Sequence, residues 1–289
     1  MTSLGLRSRG RRGVREIGRA ILILAMAALL HSCAEASSAA DNIQEEIISV
    51  RVGSGLGQSG VLSRLAGARP AKKLMVLVSG SPGVTRPRLD DKGKVTTRQN
   101  GNFLVRSRNF LVSSDVMTLL LDCRSDFDAF CPDDYQASPE RAQDVEELVS
   151  EVRRRFPAIE AVWAVSTSRG TITTAGLLNH KPDYYSGIVH TAGTYGIARS
   201  YGLDFGPHKT PQFIFHHRDD PCRGTMYRDA RELADKWGII LVSVSGGGGF
   251  RGDPCQAFTQ HGFTGREEKV ASAIRRLVES GTIEGREIE

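Results

Sequence analysis

Beyond its first 36 residues this chain of 289 carries almost no net charge. Six Arg in that stretch face only Glu16 and Glu35, so about four of the five net positive charges lie there and about one is left for the rest. A basic face that could follow a phosphate backbone is therefore absent, and nucleic acid drops out of the expected partners. Internal repeats are missing, and so is any linker long enough to split the body into two domains. The apolar run Ala20–Leu30 is too short to span a bilayer comfortably. Cysteine is scarce, with five in the whole chain. Apolar content of 40% is ordinary for a protein that builds its own core.

What is present begins with a leader. Arg7, Arg9, Arg11, Arg12, Arg15 and Arg19 precede the apolar run, and Ala34-Glu35-Ala36 follows as an A-x-A cleavage site, with Ser38-Ala39-Ala40 as a second. This reads as a signal peptide over residues 1–36, and residues 37–289 as a single domain exported to the periplasm or beyond. Leu30-His31-Ser32-Cys33 also has the outline of a lipoprotein signal, apart from His31. Cys33 is then either discarded or the point of lipid attachment, which is the only membrane contact expected. Removal of the leader leaves Cys123, Cys131, Cys222 and Cys255, an even set that suggests two disulfides in an oxidising compartment. Three pairings are open. A local Cys123–Cys131 staple with a long Cys222–Cys255 bridge fits best.

Short runs rich in Val, Ile and Leu recur at 47–52, 74–79, 116–121, 161–165, 187–190, 213–216 and 239–244. Several are apolar throughout rather than alternating, as central strands covered on both faces should be. Helical patterns lie between them. Ser138-Pro139-Glu140 opens one with a capping serine and a proline at its first position. It runs to about Arg155, and residues 169–178, 224–237 and 267–278 are further candidates. The alternation predicts an α/β protein with a doubly wound, mostly parallel sheet flanked by helices. Residues 92–102 are polar and read as an exposed loop or small excursion, and Gly246–Gly249 as either a flexible rim or a plain linker.

Val162–Thr171 reads Val-Trp-Ala-Val-Ser-Thr-Ser-Arg-Gly-Thr, an apolar strand breaking on a small-x-Ser-x-Gly turn. Such a turn holds the serine hydroxyl clear of the backbone, and the small residues on either side let strand and helix approach. Ser168 is the tip, with Ser166 and Gly170 as the small positions. A serine hydroxyl needs an imidazole to take its proton, and the imidazole needs a carboxylate to fix its tautomer. Asp220 follows the strand at 213–216 and is the candidate acid, with Asp219 as the alternative. His261 follows the last of these strands and is the candidate base. The bridge Cys222–Cys255 would tie the loop after the acid to the loop before the base. Backbone N–H groups must meet the developing oxyanion; Arg169 and Ser81 are the candidates, since Pro82 has no N–H and Gly80 makes the turn. The Arg169 side chain either waits at the mouth of the site or pairs with Asp122 or Asp126, and Arg106 and Arg108 read as solvated. A metal held by His216, His217 and an Asp is disfavoured, because neighbouring side chains on a strand point to opposite faces.

With these residues in place the chain resembles the α/β-hydrolase superfamily over about residues 45–280. Within it the chain is similar to exported bacterial serine hydrolases with the elbow Thr167-Ser168-Arg169-Gly170-Thr171. His216-His217-Arg218-Asp219-Asp220-Pro221-Cys222 and His261-Gly262-Phe263 match as well, as do Leu121-Asp122 with Asp126 and the segment Ser138–Ala142. Ser166 departs from the glycine usual at that position. The resemblance implies an eight-strand-type sheet, a Ser168, Asp220, His261 triad, and neither metal nor cofactor. The expected function is hydrolysis of a small-molecule ester, or a thioester or amide, through an acyl-enzyme. The rivals are a non-catalytic binding protein or lipoprotein on the same fold, and a peptidase, for which no propeller or lid domain is evident. A dienelactone-hydrolase-like enzyme would carry cysteine at position 168.

Overall fold

The central strands are mostly apolar because helices cover both faces of their sheet. The computed structural model describes Thr2, residues 42–53 and residues 55–289. The leader expected over residues 1–36, its cleavage sites and Cys33 lie outside the described residues. From the amino end the strands are β1 (Ile43–Val52), β2 (Leu56–Leu65), β3 (Lys73–Val78), the pair β4 (Arg88–Leu89) and β5 (Val95–Thr96), and β6 (Val116–Leu121). They continue as β7 (Ala161–Thr167), β8 (Gly187–Thr191), β9 (Gln212–His217), β10 (Ile240–Val244) and β11 (Glu287–Ile288). The helices are α1 (Phe103–Leu111), α2 (Asp133–Ala137), α3 (Pro139–Arg155), α4 (Thr171–His180), α5 (Tyr195–Ser200), α6 (Tyr227–Trp237) and α7 (Glu267–Ser280).

Nine strands form one sheet in the order β1-β2-β6-β3-β7-β8-β9-β10-β11. β1 and β2 pair antiparallel, as do β2 and β6, and every pairing from β6 to β11 is parallel. Alternate side chains serve opposite cores. Leu74, Val76 and Val78 pack with Val145, Leu148 and Val152 of α3, whereas Met75 and Leu77 pack with Leu104 of α1 and Ile274 and Leu277 of α7. Burying each such side chain is worth about 1.5–3 kcal/mol, so the two layers lock the strand register. The α3 start is as the sequence predicts: Ser138 Oγ accepts from the Arg141 N–H at 3.1 Å, with Pro139 first in the helix.

Two elements escape a reading of the sequence. β2 carries Gly57, Gln58, Ser59, Gly60 and Ser63, a composition poor in strand formers, and owes its place to pairing with β1 and β6. α1 begins inside a polar stretch, with Asn102 as its cap. The sheet also exceeds eight strands, with β11 adding two residues at its edge. Residues 92–102 are not simply an exposed loop. They contain β5, and the side chains of Val95, Thr97 and Gln99 are buried. Arg106 and Arg108 are not solvated either: Arg106 pairs with Glu267 at 2.9 Å and Arg108 with Glu45 at 2.6 Å, both largely buried.

Candidate active site

β7 runs into a single tight turn, Ser168–Gly170, and then α4. Ser168 at its tip has φ of 52°, in the left-handed region that few residues other than glycine adopt. What holds it there is close packing on both sides. A β-carbon at Gly170 would lie 2.6 Å from the Val78 carbonyl oxygen and 2.7 Å from that of Ser79, so only glycine lets the turn settle on the end of β3. Ser166, the departure from the usual glycine, is fully buried, and its Oγ accepts from Thr174 Oγ1 at 2.8 Å, with His190 Nδ1 3.5 Å away. The serine thus satisfies a polar group of α4 that a glycine would leave without this partner.

Asp220 sits three residues past β9 with its side chain sealed from solvent. Its Oδ1 accepts the Cys222 N–H at 2.9 Å. Its Oδ2 lies 3.0 Å from His261 Nδ1, 3.0 Å from Thr225 Oγ1 and 3.3 Å from His216 Nε2. Burial alone would penalise the carboxylate, but hydrogen bonds from His216 and His261 outweigh that and hold its pKa well below the usual carboxylate range. An ionised carboxylate only accepts, so Thr225 Oγ1 and His261 Nδ1 donate to it, while the single His216 Nε2–H is shared with the Thr225 carbonyl oxygen 2.7 Å away. His261 therefore carries its proton on Nδ1, leaving Nε2 as the basic nitrogen. Asp219, the alternative acid, is exposed, and its N–H donates to His217 Nδ1 at 3.1 Å.

His261 lies in the turn Gln260–Gly262, whose first N–H bonds go to Thr259. Arg106 fixes this turn by donating to the Gly262 carbonyl at 2.6 Å while pairing with Glu267 of α7. Ser168 and His261 face one cavity of about 560 Å³, with Ser81, Asn102, Gln256 and Phe258 also in its wall. No hydrogen bond joins Ser168 Oγ to the His261 ring in this structure, although both line this cavity.

The turn after β3 closes with the Gly83 N–H on the Gly80 carbonyl at 2.8 Å. Buried Gln99 steadies it, accepting from Ser79 Oγ at 2.6 Å and donating to the Gly80 carbonyl at 3.0 Å. The Ser81 N–H meets no acceptor among the described residues. Arg169, whose N–H follows the nucleophile, does not send its side chain to Asp122 or Asp126. Its Nε donates to Asp133 Oδ1 at 2.6 Å, and the guanidinium lies 5.2 Å from the centre of the Phe130 ring. The carboxylates expected for it are taken: Asp122 is buried against Arg86, and Asp126 is gripped by Arg124.

Two disulfides are present, Cys123–Cys131 and Cys222–Cys255. The second joins the loop after Asp220 to the segment before His261, and Cys255 lines the cavity. Gly246–Gly249 is not among the lining residues. It is tied back to the body, with the Gly246 carbonyl accepting from His217 Nε2 at 2.9 Å. His216 and His217 do point apart, and no group of three or more His, Cys, Asp or Glu among the described residues is placed to hold a metal ion. Thr225 and Gln99 are site residues that reading the sequence did not find, and His216, named there in the segment 216–222 and as a disfavoured metal ligand, was not expected beside the Asp220 carboxylate. A threonine five positions after an acid carries no signal of its own, and residues 97–102 look like ordinary polar loop.

No family model matches the chain, and no curated protein matches it in sequence. Similarity appears in three dimensions. A protein of unknown function from Agrobacterium tumefaciens, described as a putative α/β hydrolase, superposes with a TM-score of 0.55 at 15% identity over 81% of this chain and 98% of its own. A Xanthomonas campestris protein described as an α/β serine hydrolase without a lid gives 0.54 at 11% identity over 82% and 93%. Est1E from Butyrivibrio proteoclasticus gives 0.53 at 10% identity over 80% and 98%. A mostly parallel sheet between two helical layers, shared with such neighbours over nearly their whole length, is the fold of the α/β hydrolases.

Proposed function

We propose that the protein is an exported serine hydrolase that cleaves a carboxylic ester, or a thioester or amide, through an acyl-enzyme. Most of the weight rests on one observation: His261 Nδ1 stands 3.0 Å from a sealed Asp220 carboxylate while its ring and the strained Ser168 face the same cavity. Ser168 Oγ attacks the substrate carbonyl carbon as His261 Nε2 takes the hydroxyl proton. Asp220 keeps the ring in the Nδ1–H tautomer and stabilises the imidazolium. The Arg169 and Ser81 N–H groups bind the oxyanion. Collapse of the tetrahedral intermediate breaks the bond to the leaving group, which departs with the proton from Nε2. Water, deprotonated by the same nitrogen, then releases the acid and frees Ser168. The substrate is a small molecule, as the cavity volume suits, and the chemistry calls for neither metal nor cofactor.

Export is supported by the basic, apolar start of the sequence and by two disulfides, which persist in oxidising compartments. The domain boundary near residue 37 and the fate of Cys33 belong to the same proposal. Labelling of the purified mature protein with a fluorophosphonate probe, with Ser168→Ala alongside, tests the reading. A label mapped to Ser168 and lost in the variant is the expected result. Folded, disulfide-bonded protein that takes no label at mildly alkaline pH would refute it in favour of a binding protein on the same fold.

A further inference from the structure

Asn102 occupies a place that its role as a helix cap does not exhaust. Its Oδ1 accepts the Leu104 N–H at 3.1 Å and so satisfies one of the free donors at the start of α1. That bond also settles which way the amide faces, because only the oxygen can accept. The two Nδ2–H donors are turned the other way, towards the cavity, and Nδ2 meets no acceptor among the described residues.

The space it faces is the one beside the nucleophile. A β-carbon added at Gly80 would stand 2.9 Å from Ser168 Cβ, 3.1 Å from the Thr167 carbonyl oxygen and 3.5 Å from Asn102 Nδ2. That point is already crowded, so glycine at position 80 is what lets this turn lie against Ser168, with the amide nitrogen of Asn102 close by. Ser81, whose N–H is without an acceptor, is the next residue along the same turn. A substrate carbonyl attacked by Ser168 enters the cavity that Ser81, Asn102 and Ser168 line, where its oxygen gains negative charge and needs donors already in place. The α1 axis adds to this, since its N-terminal end carries partial positive charge and α1 begins at Phe103.

Resting on the serine-hydrolase reading, we propose that Asn102 is a catalytic residue, a side-chain donor that joins the Ser81 and Arg169 N–H groups in binding the oxyanion. Gly80 is required for more than the turn, because a β-carbon there would press on Ser168 Cβ and the Thr167 carbonyl oxygen.

The cap and the donor can be separated by substitution. Asn102→Ser and Asn102→Asp both keep an oxygen able to cap α1, and neither presents an N–H donor to the cavity. Both variants should melt within a few degrees of the parent. With 4-nitrophenyl acetate as the probe ester, kcat should fall by roughly 10²–10³-fold, the cost of one lost oxyanion donor, with KM changed by no more than about twofold. Asn102→Ala should lose the donor and the cap together. Folded Ser and Asp variants that turn over within about threefold of the parent overturn the proposal and leave Asn102 as a cap only. So does a loss confined to KM. If the parent is labelled at Ser168 while the variants keep full turnover, only this inference fails. If the parent takes no label, the hydrolase reading fails and carries this one with it.

Discussion

Lowering the pH should cost this protein stability through a histidine that takes no part in the proposed chemistry. His190, on β8, is fully buried beneath the elbow, with Tyr195 and Phe205 edge-on to its ring. Its Nδ1 lies 3.2 Å from Thr174 Oγ1 and 3.5 Å from Ser166 Oγ, and no acid is within ion-pairing distance among the described residues. Burial pushes its pKa down to about 4, against about 6.5 in the unfolded chain. The folded state therefore binds fewer protons than the unfolded state between these values, and stability falls as pH drops through that window. The contribution is complete above about pH 6.5. By about pH 4.5 the linkage amounts to about 2–3 kcal/mol, a large share of the 5–15 kcal/mol typical of a domain. Urea unfolding at about pH 7.5 and pH 4.5, for the parent and His190→Gln, measures it. The parent should lose about 2–3 kcal/mol more than the variant over this range. Equal losses in both would refute the argument that an uncharged, sealed His190 underlies the acid sensitivity.

Three other perturbations bear on the site. Gly170→Ala places a β-carbon against two backbone oxygens of the β3 end, so it should destabilise by about 1–3 kcal/mol or more and abolish labelling of Ser168; an unchanged melting temperature would contradict the packing. Thr225→Val removes a hydroxyl that reaches both Asp220 and His261, each at 3.0 Å. Loss of a buried bond to a charged group is worth about 1.5–3 kcal/mol, so kcat should drop about 10–100-fold and recover in Thr225→Ser. Replacing Cys222 and Cys255 together by Ala opens a bridge with a sequence separation of 33, which by chain entropy should cost about 4 kcal/mol in urea unfolding. The same double variant should lose activity at temperatures where the parent keeps it, since the acid and base loops are no longer tied.

The parts of this protein legible in its sequence are those that rest on local chemistry. Six of the seven apolar runs announced the parallel core strands, because a strand covered on both faces has no polar side to show, and the first became the antiparallel edge strand β1. Ser138-Pro139 announced α3 because capping is settled within four residues. The serine turn, the acid after one strand and the histidine after the last could be named for the same reason, and the structure sets Ser168 and His261 in one cavity wall with Asp220 behind the ring. Asp133 as the partner of Arg169 could not be read, because which carboxylate an arginine meets depends on distance in space and on which acids are already taken.

Everything settled by contact between distant segments was left to the tertiary structure. β2 is a strand only because β1 and β6 supply hydrogen-bonding edges to a segment rich in glycine and polar residues. Gln99 and Asn102 look like loop until the fold brings one against the turn after β3 and sets the other in the cavity wall with Ser168. Thr225 and His216 join the Asp220 carboxylate only because its burial demands donors that the chain must bring from elsewhere. The sequence by itself determined the strand-and-helix alternation and the residue types at the turns, since hydrophobic period and backbone preference act over a few residues. Which polar groups meet in the buried site was decided by the folded structure alone, because desolvation and hydrogen-bond geometry exist only once the segments are packed.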